Sequence, residues 1–370
     1  MKKFKPKQGA IFFVLILGAI CVIFGLYLFV QTHEFFAANF ADEFLRPKIG
    51  SQATISIEAQ FFSLQDLMNQ IKYFFVKPTV NQKFASSESK IDTSFTLFTI
   101  HPLTQFPKLP HEGEWSVVMP SSTSAFLATT FVRPDPKRDY AITYLVKMNM
   151  SELIASAAAG TWEPGEQAHK GPGAIPLSIV NSNKLVAAFN GGFQKKDGEY
   201  GMIVQNTTYL PLKKNLATLV LYTDKKPEIF NYTNQTFGKD ISVIRQNGPM
   251  LLENGKIVTS SSEWNMQTWG LTTTNSMYTW RSGIGVTKNG NLIYAAGASL
   301  VPQTLAFALK EAGAVNAMQL DINPVWVRFI LFSSLGKGLY KYSPLTASMV
   351  NGGYEYLHGY QKDFFYIYIK

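Results

Sequence analysis

The first feature of the hydrophobic pattern is a run from which polar positions nearly vanish. Residues 10–30, AIFFVLILGAICVIFGLYLFV, hold no charged side chain, and a helix needs about 20 such residues to cross a bilayer. The run predicts one transmembrane helix. A cleaved signal peptide would carry a shorter apolar segment, about 7–15 residues, ending at a small-x-small site. The nearest candidate, Ala37-Ala38, lies beyond a bulky stretch, so an uncleaved anchor is expected. Up to residue 130 the pattern is weaker. HEFFAANFADEFLRP and IEAQFFSLQDLMNQIKYFF space their apolar residues in a helical way, and the second predicts an amphipathic helix that lies at the membrane or packs on the main domain, packing being the simpler reading. NQKFASSESKIDTSFT is polar and serine-rich, as linkers are, and the prolines of HPLTQFPKLPHEGEW interrupt any regular element.

From about residue 130 the texture changes to short apolar runs between turn signals. AITYLVKMNM, KLVAAFN, GMIVQ, TLVLYTD, ISVIRQNGPMLL, KIVTS, SGIGVT and NLIYAAG read as strands. Asp197-Gly198, Asn254-Gly255 and Asn289-Gly290 supply the positive φ angles of tight hairpins. In PQTLAFALKEAGAVNAMQLD, Leu305, Ala308, Leu309 and Ala312 recur at helical spacing, Pro302 can open the helix and Gly313 can close it, and the strand AMQLD follows. The pattern therefore predicts an α+β fold: a strand-rich mixed or antiparallel sheet domain with few helices, preceded by one N-terminal transmembrane helix. The expected division is a basic cytoplasmic tail at 1–9, the span at 10–30, a juxtamembrane extension and linker at 31–130, and the main domain at 131–370.

Charge sets the orientation of this arrangement. Lysines 2, 3, 5 and 7 precede the span and no Lys or Arg follows it until Arg46, so the N-terminus is expected in the cytoplasm and the main domain outside it. The formal net charge is +9, and without that lysine cluster no basic stripe stands out, so no nucleic-acid partner is expected. The single cysteine, Cys21, lies inside the span. The exported part then has no disulfide, thiol nucleophile or thiolate metal site, and a bacterial envelope is the expected setting.

Several constellations could carry chemistry. Asn190-Gly191-Gly192 closes the strand KLVAAFN, either as a plain turn or as freed amides facing a ligand oxygen beside the Asn190 amide. Arg245-Gln246-Asn247 and Arg281-Ser282-Gly283 each place an arginine at a strand with polar or small residues behind it; such an arginine either ties down a loop or grips a phosphodiester or carboxylate. Gly283 and Gly285 make no dinucleotide fingerprint, because a strand and a hairpin follow instead of a helix. Glu163 sits on the turn Trp162-Glu163-Pro164-Gly165, with Glu166 and His169 nearby, and Trp269 and Trp326 are flat surfaces that serve either packing or a sugar. Asp321 ends the apolar run AMQL, where a carboxylate rarely stands without a use. No serine nucleophile elbow, paired metal histidines or phosphate loop is present.

Taken in order, AFNGGF, RQNGPMLLENGKI, WRSGIGVTKNGNLIYAAG and LAFALKEAGAVNAMQLD resemble the phosphodiester glycosidase domain family over about residues 130–370. In that family the last strand runs on as Leu-Asp-Gly-Gly-Gly-Ser. Here Leu320-Asp321 is followed by Ile322-Asn323-Pro324-Val325, which cannot fold around an anion as three glycines do. The pattern is similar to a bacterial branch in which Asp-Ile-Asn-Pro is the regular form. Asp321, Arg281, Asn190 and Gly191 match the family's motifs.

The resemblance implies a hydrolase acting on a sugar-phosphodiester linkage of an envelope glycopolymer. Such chemistry needs an acid or base at the anomeric centre, a second carboxylate or activated water, and cations for the phosphate. On this reading Asp321 is the acid/base or grips a sugar hydroxyl, with Glu163 as the second carboxylate. Arg281 and Arg245 hold the phosphate; Asn190, Asn247 and Asn323 meet sugar hydroxyls. Gly191, Gly192, Gln246, Trp269 and Trp326 complete the substrate-binding set. No cofactor or metal is expected, although a divalent cation at Asp321 stays open. The alternative is a non-catalytic envelope protein that binds phosphate-linked glycans with the same pocket and topology.

Overall fold

A computed structural model describes residues 40–80, 95–103, 105–120, 125–165, 170–259 and 278–370, together with scattered positions between 18 and 37. They fall into two units, Met1–Phe61 and Phe62–Lys370. In the first, residues 40–45 form a π-helical turn and Arg46–Ile49 one helical turn. A 25-residue helix, α1 (Ser51–Phe75), contains the division. The expected span at 10–30 lies almost wholly outside the described residues; among those described, no helix is long and apolar enough to cross a membrane.

The second unit is built from strand-length apolar runs that alternate with turns, and every pairing among the described strands is antiparallel. One eight-stranded sheet joins β1 (Ser116–Pro120), β2 (Ala125–Val132), β3 (Thr143–Met148), β14 (Leu292–Leu300), β13 (Thr279–Thr287), β15 (Ala314–Gln319), β11 (Met250–Glu253) and β12 (Lys256–Ile257), in that spatial order. A five-stranded sheet runs β7 (Thr207–Leu210), β6 (Met202–Val204), β10 (Ile241–Gln246), β8 (Leu216–Tyr222), β9 (Glu228–Tyr232). The third sheet runs β17 (Leu339–Pro344), β16 (Phe329–Gly336), β5 (Leu185–Asn190), β18 (Phe364–Ile369), β4 (Leu153–Ala158). Short helices α2 (Leu177–Asn181), α3 (Pro302–Glu311) and α4 (Gly353–His358) complete it.

Two apolar layers follow from strand alternation. On one face of the eight-stranded sheet, Val146, Ile284, Tyr294 and Met318 join Phe189, Leu219 and Phe365 from the other two sheets in the main core. On the opposite face, Leu305, Ala308, Leu309 and Ala312 of α3 pack on Ile293, Ala295 and Ala317. The glycine pair of β13 belongs to this second layer. A Cβ at Gly285 would lie 2.6 Å from that of Ala314, and one at Gly283 would meet Met318 O at 3.0 Å and Leu305 at 3.1 Å. These glycines serve close packing against α3 and β15.

Two departures from the sequence expectation have local causes. The sheet begins at β1 and β2, ahead of residue 131, because residues 127–132 are all buried, with Leu127 and Phe131 in the main core. Asp197-Gly198 makes no hairpin: Lys195–Asp197 is a 3-10 turn closed by Gly198. Asn254-Gly255 does make one, with φ of 50° and 75°, between β11 and β12.

On β3, Lys147 is buried with its ammonium donating to Thr96 O at 2.6 Å, between the rings of Phe95 and Phe98. Burial pushes its pKa down to about 8. The folded state therefore gives up a proton that the unfolded chain keeps until about pH 10.4, so this residue makes stability rise with pH across that window. Lys147→Met should be more stable than wild type at pH 7 and lose that advantage by pH 10. Thermal denaturation of both proteins across this range checks it, and a gap that widens with pH would contradict it.

Candidate functional site

The apolar strand β5 ends at Asn190, which the main core surrounds on all sides. Its amide is fully used: Nδ2 donates to Gly191 O at 3.0 Å and to Ser282 Oγ at 2.9 Å, and Oδ1 accepts from Tyr294 OH at 2.8 Å and Arg328 N at 3.2 Å. Ser282 Oγ in turn donates to Asp321 O at 2.7 Å, and Asp321 N donates to Gly191 O at 3.2 Å. The end of β5, the middle of β13 and the exit from β15 are thus stitched together.

Gly191 and Gly192 follow, and their amides do not face a ligand. Gly191 N donates to Asp363 O at 3.0 Å and Gly192 N to Asp363 Oδ2 at 3.2 Å. A Cβ on Gly191 would fall 2.0 Å from Asp363 Oδ2, and one on Gly192 would fall 2.9 Å from Arg245 NH2. The two glycines exist to let Asp363 and Arg245 approach the backbone.

Arg245, on β10, is fully buried. Nε and NH2 donate to the two oxygens of Asp363 at 2.9 and 3.3 Å, NH1 to Tyr200 O and Gln246 O at 3.0 and 2.8 Å, and NH2 also to Phe193 O at 2.9 Å. A guanidinium has five N–H donors, and here all of them end on protein oxygens. The phosphate-gripping role expected of Arg245 therefore gives way to a positioning one. Asn247 is spent in the same way, accepting from Phe193 N at 3.0 Å and donating to Gln319 O and Leu320 O at 2.8 and 3.3 Å. Gln246 turns the other way, onto Lys213 and Thr218.

Arg281 is also buried, and its side chain donates to Leu300 O at 3.0 Å and Gln319 Oε1 at 2.8 Å. Burial pushes its pKa down to about 9. The described contacts direct it to Gln319, while its neighbour Ser282 bonds Asp321.

Asp321 is held by its own turn and by a residue that the sequence reading missed. Oδ1 accepts from Asn323 N at 3.0 Å, and Asn323 Oδ1 accepts from Val325 N at 3.0 Å, so Asp-Ile-Asn-Pro forms two successive Asx turns. Oδ2 forms a buried ion pair with Lys362. An ammonium thus stands beside Asp321. Lys362 Nζ also lies 5.3 Å from the ring of Trp326, which is itself buried against Tyr360. Asn323 is half-buried at the surface of this turn.

Glu163 approaches from the third sheet's loops, its backbone amide bonded to Gln361 O at 2.8 Å. Its Oε2 accepts from Lys195 N at 2.8 Å. Burial raises its pKa; the Lys195 amide and the Lys362 charge oppose that shift, and Asp363 adds to it. Glu163 opens onto a cleft of about 490 Å³ lined also by Lys195, Lys196, Gly198, Glu199 and Lys213. Trp269, Glu166 and His169 lie outside the described residues. The signal that could have revealed Lys362 and Asp363 is their position: an opposite-charge pair directly ahead of FFYIYI.

Residues 183–321 match the model of the phosphodiester glycosidase (NAGPA) family, a family of hydrolases, so the resemblance read from the sequence holds over the segment from just before β5 to Asp321. Among solved structures, the zebrafish N-acetylglucosamine-1-phosphodiester alpha-N-acetylglucosaminidase catalytic domain, auto-inhibited by its pro-peptide, is similar at 15% identity and a TM-score of 0.39, covering 69% of this chain and 87% of that one. A hypothetical protein from Synechocystis is similar at 14% identity and a TM-score of 0.36, covering 66% and 62%. A putative exported protein from Burkholderia pseudomallei follows at 8% and 0.26, covering 61% and 74%. No curated protein matches this chain.

Removing one member of a buried ion pair leaves the other charge stranded, at about 3–5 kcal/mol. Asp363→Ala should therefore lower unfolding free energy by about that amount, and Gly191→Ala should also destabilise through the clash with Asp363. Denaturant unfolding of each variant measures both; an Asp363→Ala protein as stable as wild type would show that Arg245 does not depend on its partner.

Proposed function

We propose that this chain is a phosphodiester glycosidase-type hydrolase that releases a sugar from a phosphodiester of a cell-envelope glycopolymer, anchored through residues 10–30 with its N-terminus in the cytoplasm. The observation that carries the reading is the set Glu163, Lys362 and Asp321: a carboxyl with raised pKa at a lysine-rich cleft, beside a buried ion pair whose acid ends the family-matched segment. Lys195, Lys196 and Lys213 receive the phosphodiester. Protonated Glu163 gives its proton to the phosphate oxygen as the anomeric C–O bond breaks. As a carboxylate it then takes a proton from the water that forms the new C–O bond, leaving a reducing sugar and a phosphomonoester. Asp321 holds Lys362, whose charge favours the carboxylate form of Glu163 between the two steps. Asn323, at the surface of the Asx turns, contacts a sugar hydroxyl.

The sign of the pH dependence follows. Glu163 must start protonated, so turnover falls as pH rises through its raised pKa. Lys362→Met removes an influence that lowers this pKa and should move the falling limb to higher pH, whereas Glu163→Gln should flatten it and reduce kcat by roughly 10²–10⁴-fold. Release of reducing sugar from sugar-1-phosphodiesters, followed against pH, measures all three; a limb that stays in place in Lys362→Met refutes the assignment.

The rival reading, a non-catalytic glycan binder, draws on one observation: Asn190, Arg245 and Asn247 have their polar groups engaged by the protein itself. Phosphate-linked polymer retained without sugar release would select it. For the topology, protease added to intact spheroplasts should digest the chain beyond residue 31, and an ectodomain that survives whole would overturn the orientation.

A further inference from the structure

The part of α1 that belongs to the larger unit meets its domain with its polar side. Asp66, 8% exposed, accepts from Arg138 Nε and NH2 at 2.9 and 2.7 Å, from Tyr140 OH at 2.9 Å and from Gln70 Nε2 at 2.8 Å. Asn69 Nδ2 donates to Ser299 Oγ at 3.5 Å, and Tyr73 stacks on Tyr140 with centroids 4.8 Å apart. The face turned outward is apolar. Leu67, Ile71, Phe74 and Phe75 fall at i, i+4, i+7 and i+8, one stripe of a helix, and all are exposed, the two phenylalanines 83% and 78%. Val76 extends the stripe past the helix end. An ordinary surface helix buries its apolar stripe and wets its polar one; here the two are exchanged, with a bidentate arginine–aspartate pair fixing the exchange.

We propose that this stripe is a membrane-contact surface that seats in the headgroup–acyl boundary of an anionic bilayer. Two further features favour lipid over a protein partner. Between Leu67 and Lys77 the only charged residues are Lys72 and Lys77, with no acid among them, the composition of a helix that lies in the plane of an anionic interface. The smaller unit carries the same chemistry on its own, with Phe36, Phe40 and Phe44 exposed at i, i+4 and i+8 and the Lys48 ammonium 3.6 Å from the Phe44 ring. A tether at 10–30 would hold the chain to the membrane but leave the domain free to tumble. A second contact through α1 gives the domain one orientation on the bilayer. The proposal is independent of the hydrolase reading and uses the anchoring reading only to supply the nearby bilayer.

The test is depth-dependent fluorescence quenching in the full chain. In a Cys21→Ser background, Leu67→Cys, Phe75→Cys, Gly18→Cys and Lys239→Cys are each labelled with bimane and reconstituted in phosphatidylcholine–phosphatidylglycerol vesicles containing shallow or deep spin-labelled lipids. The expected result is a blue-shifted probe at 67 and 75, quenched several-fold more by shallow than by deep labels, with no quenching at Lys239. Unquenched probes at 67 and 75 overturn the proposal. If those probes are blue-shifted but unquenched, the stripe is covered by protein, a second copy included, and the proposal also fails. The Gly18 probe reports separately on the anchor, so quenching there with none at 67 and 75 sinks this inference while leaving the anchored topology intact.

Discussion

A fully buried guanidinium must find an acceptor for every donor, and the pairing of Arg245 with Asp363 is the constraint around which the candidate site is arranged. The arginine stands on β10 and the carboxylate just ahead of β18, so the pair ties two sheets that share no strand. To receive it, the chain after β5 must come so close that no side chain fits, which is why Gly191 and Gly192 stand there. Their placement brings Gly191 O to the Asp321 amide and carries the eight-stranded sheet into the same knot. An ion pair of this kind is weak evidence for net stability against an apolar substitute. Its demonstrable effect here is geometric, since three sheets end at mutually fixed positions.

Beside that rigid pair lies a second one with a different character. Asp321 is aimed by turn chemistry within its own four residues, and its partner Lys362 lies within electrostatic reach of Glu163 at the cleft. A glycine-rich loop would offer backbone amides to an anion. Two Asx turns consume those amides on side-chain oxygens instead, and the positive groups facing the cleft are lysines on separate segments. Asp-Ile-Asn-Pro therefore spends the amides of Asn323 and Val325 within its own turns.

Strands β3, β5, β6, β8 and β10 to β15 were legible because each run is short, apolar and bounded by turn residues, and α3 because its apolar spacing starts at Pro302 and stops before Gly313, whereas β4, β7, β9 and β16 to β18 were not read. Strands β1 and β2 were hidden by prolines and polar residues in the adjoining segments. Asp321 announced itself as a charge at the end of a buried run. The glycine pair was legible as a close approach, but sequence does not say what approaches, and the answer is an acid 171 residues away. Lys362 and Asp363 were missed because two neighbouring opposite charges look like an ordinary solvated turn until β18 is seen to run through the middle of its sheet. Glu163 stood out in the sequence only as a carboxylate on a turn, and only the fold brings it towards Lys362.

That central place of β18 has a consequence for how the protein comes into being. Its neighbours β5 and β4 are made long before it, yet they are bridged only when residues 364–369 slot between them. The same insertion delivers Lys362 and Asp363 to partners that until then have unmet charges. During synthesis, a nascent chain would therefore pass through a stage with most of its sheets available and the Arg245 side of the site still incomplete. The last strand acts as a keystone, and whatever activity the site has would be withheld until it is set.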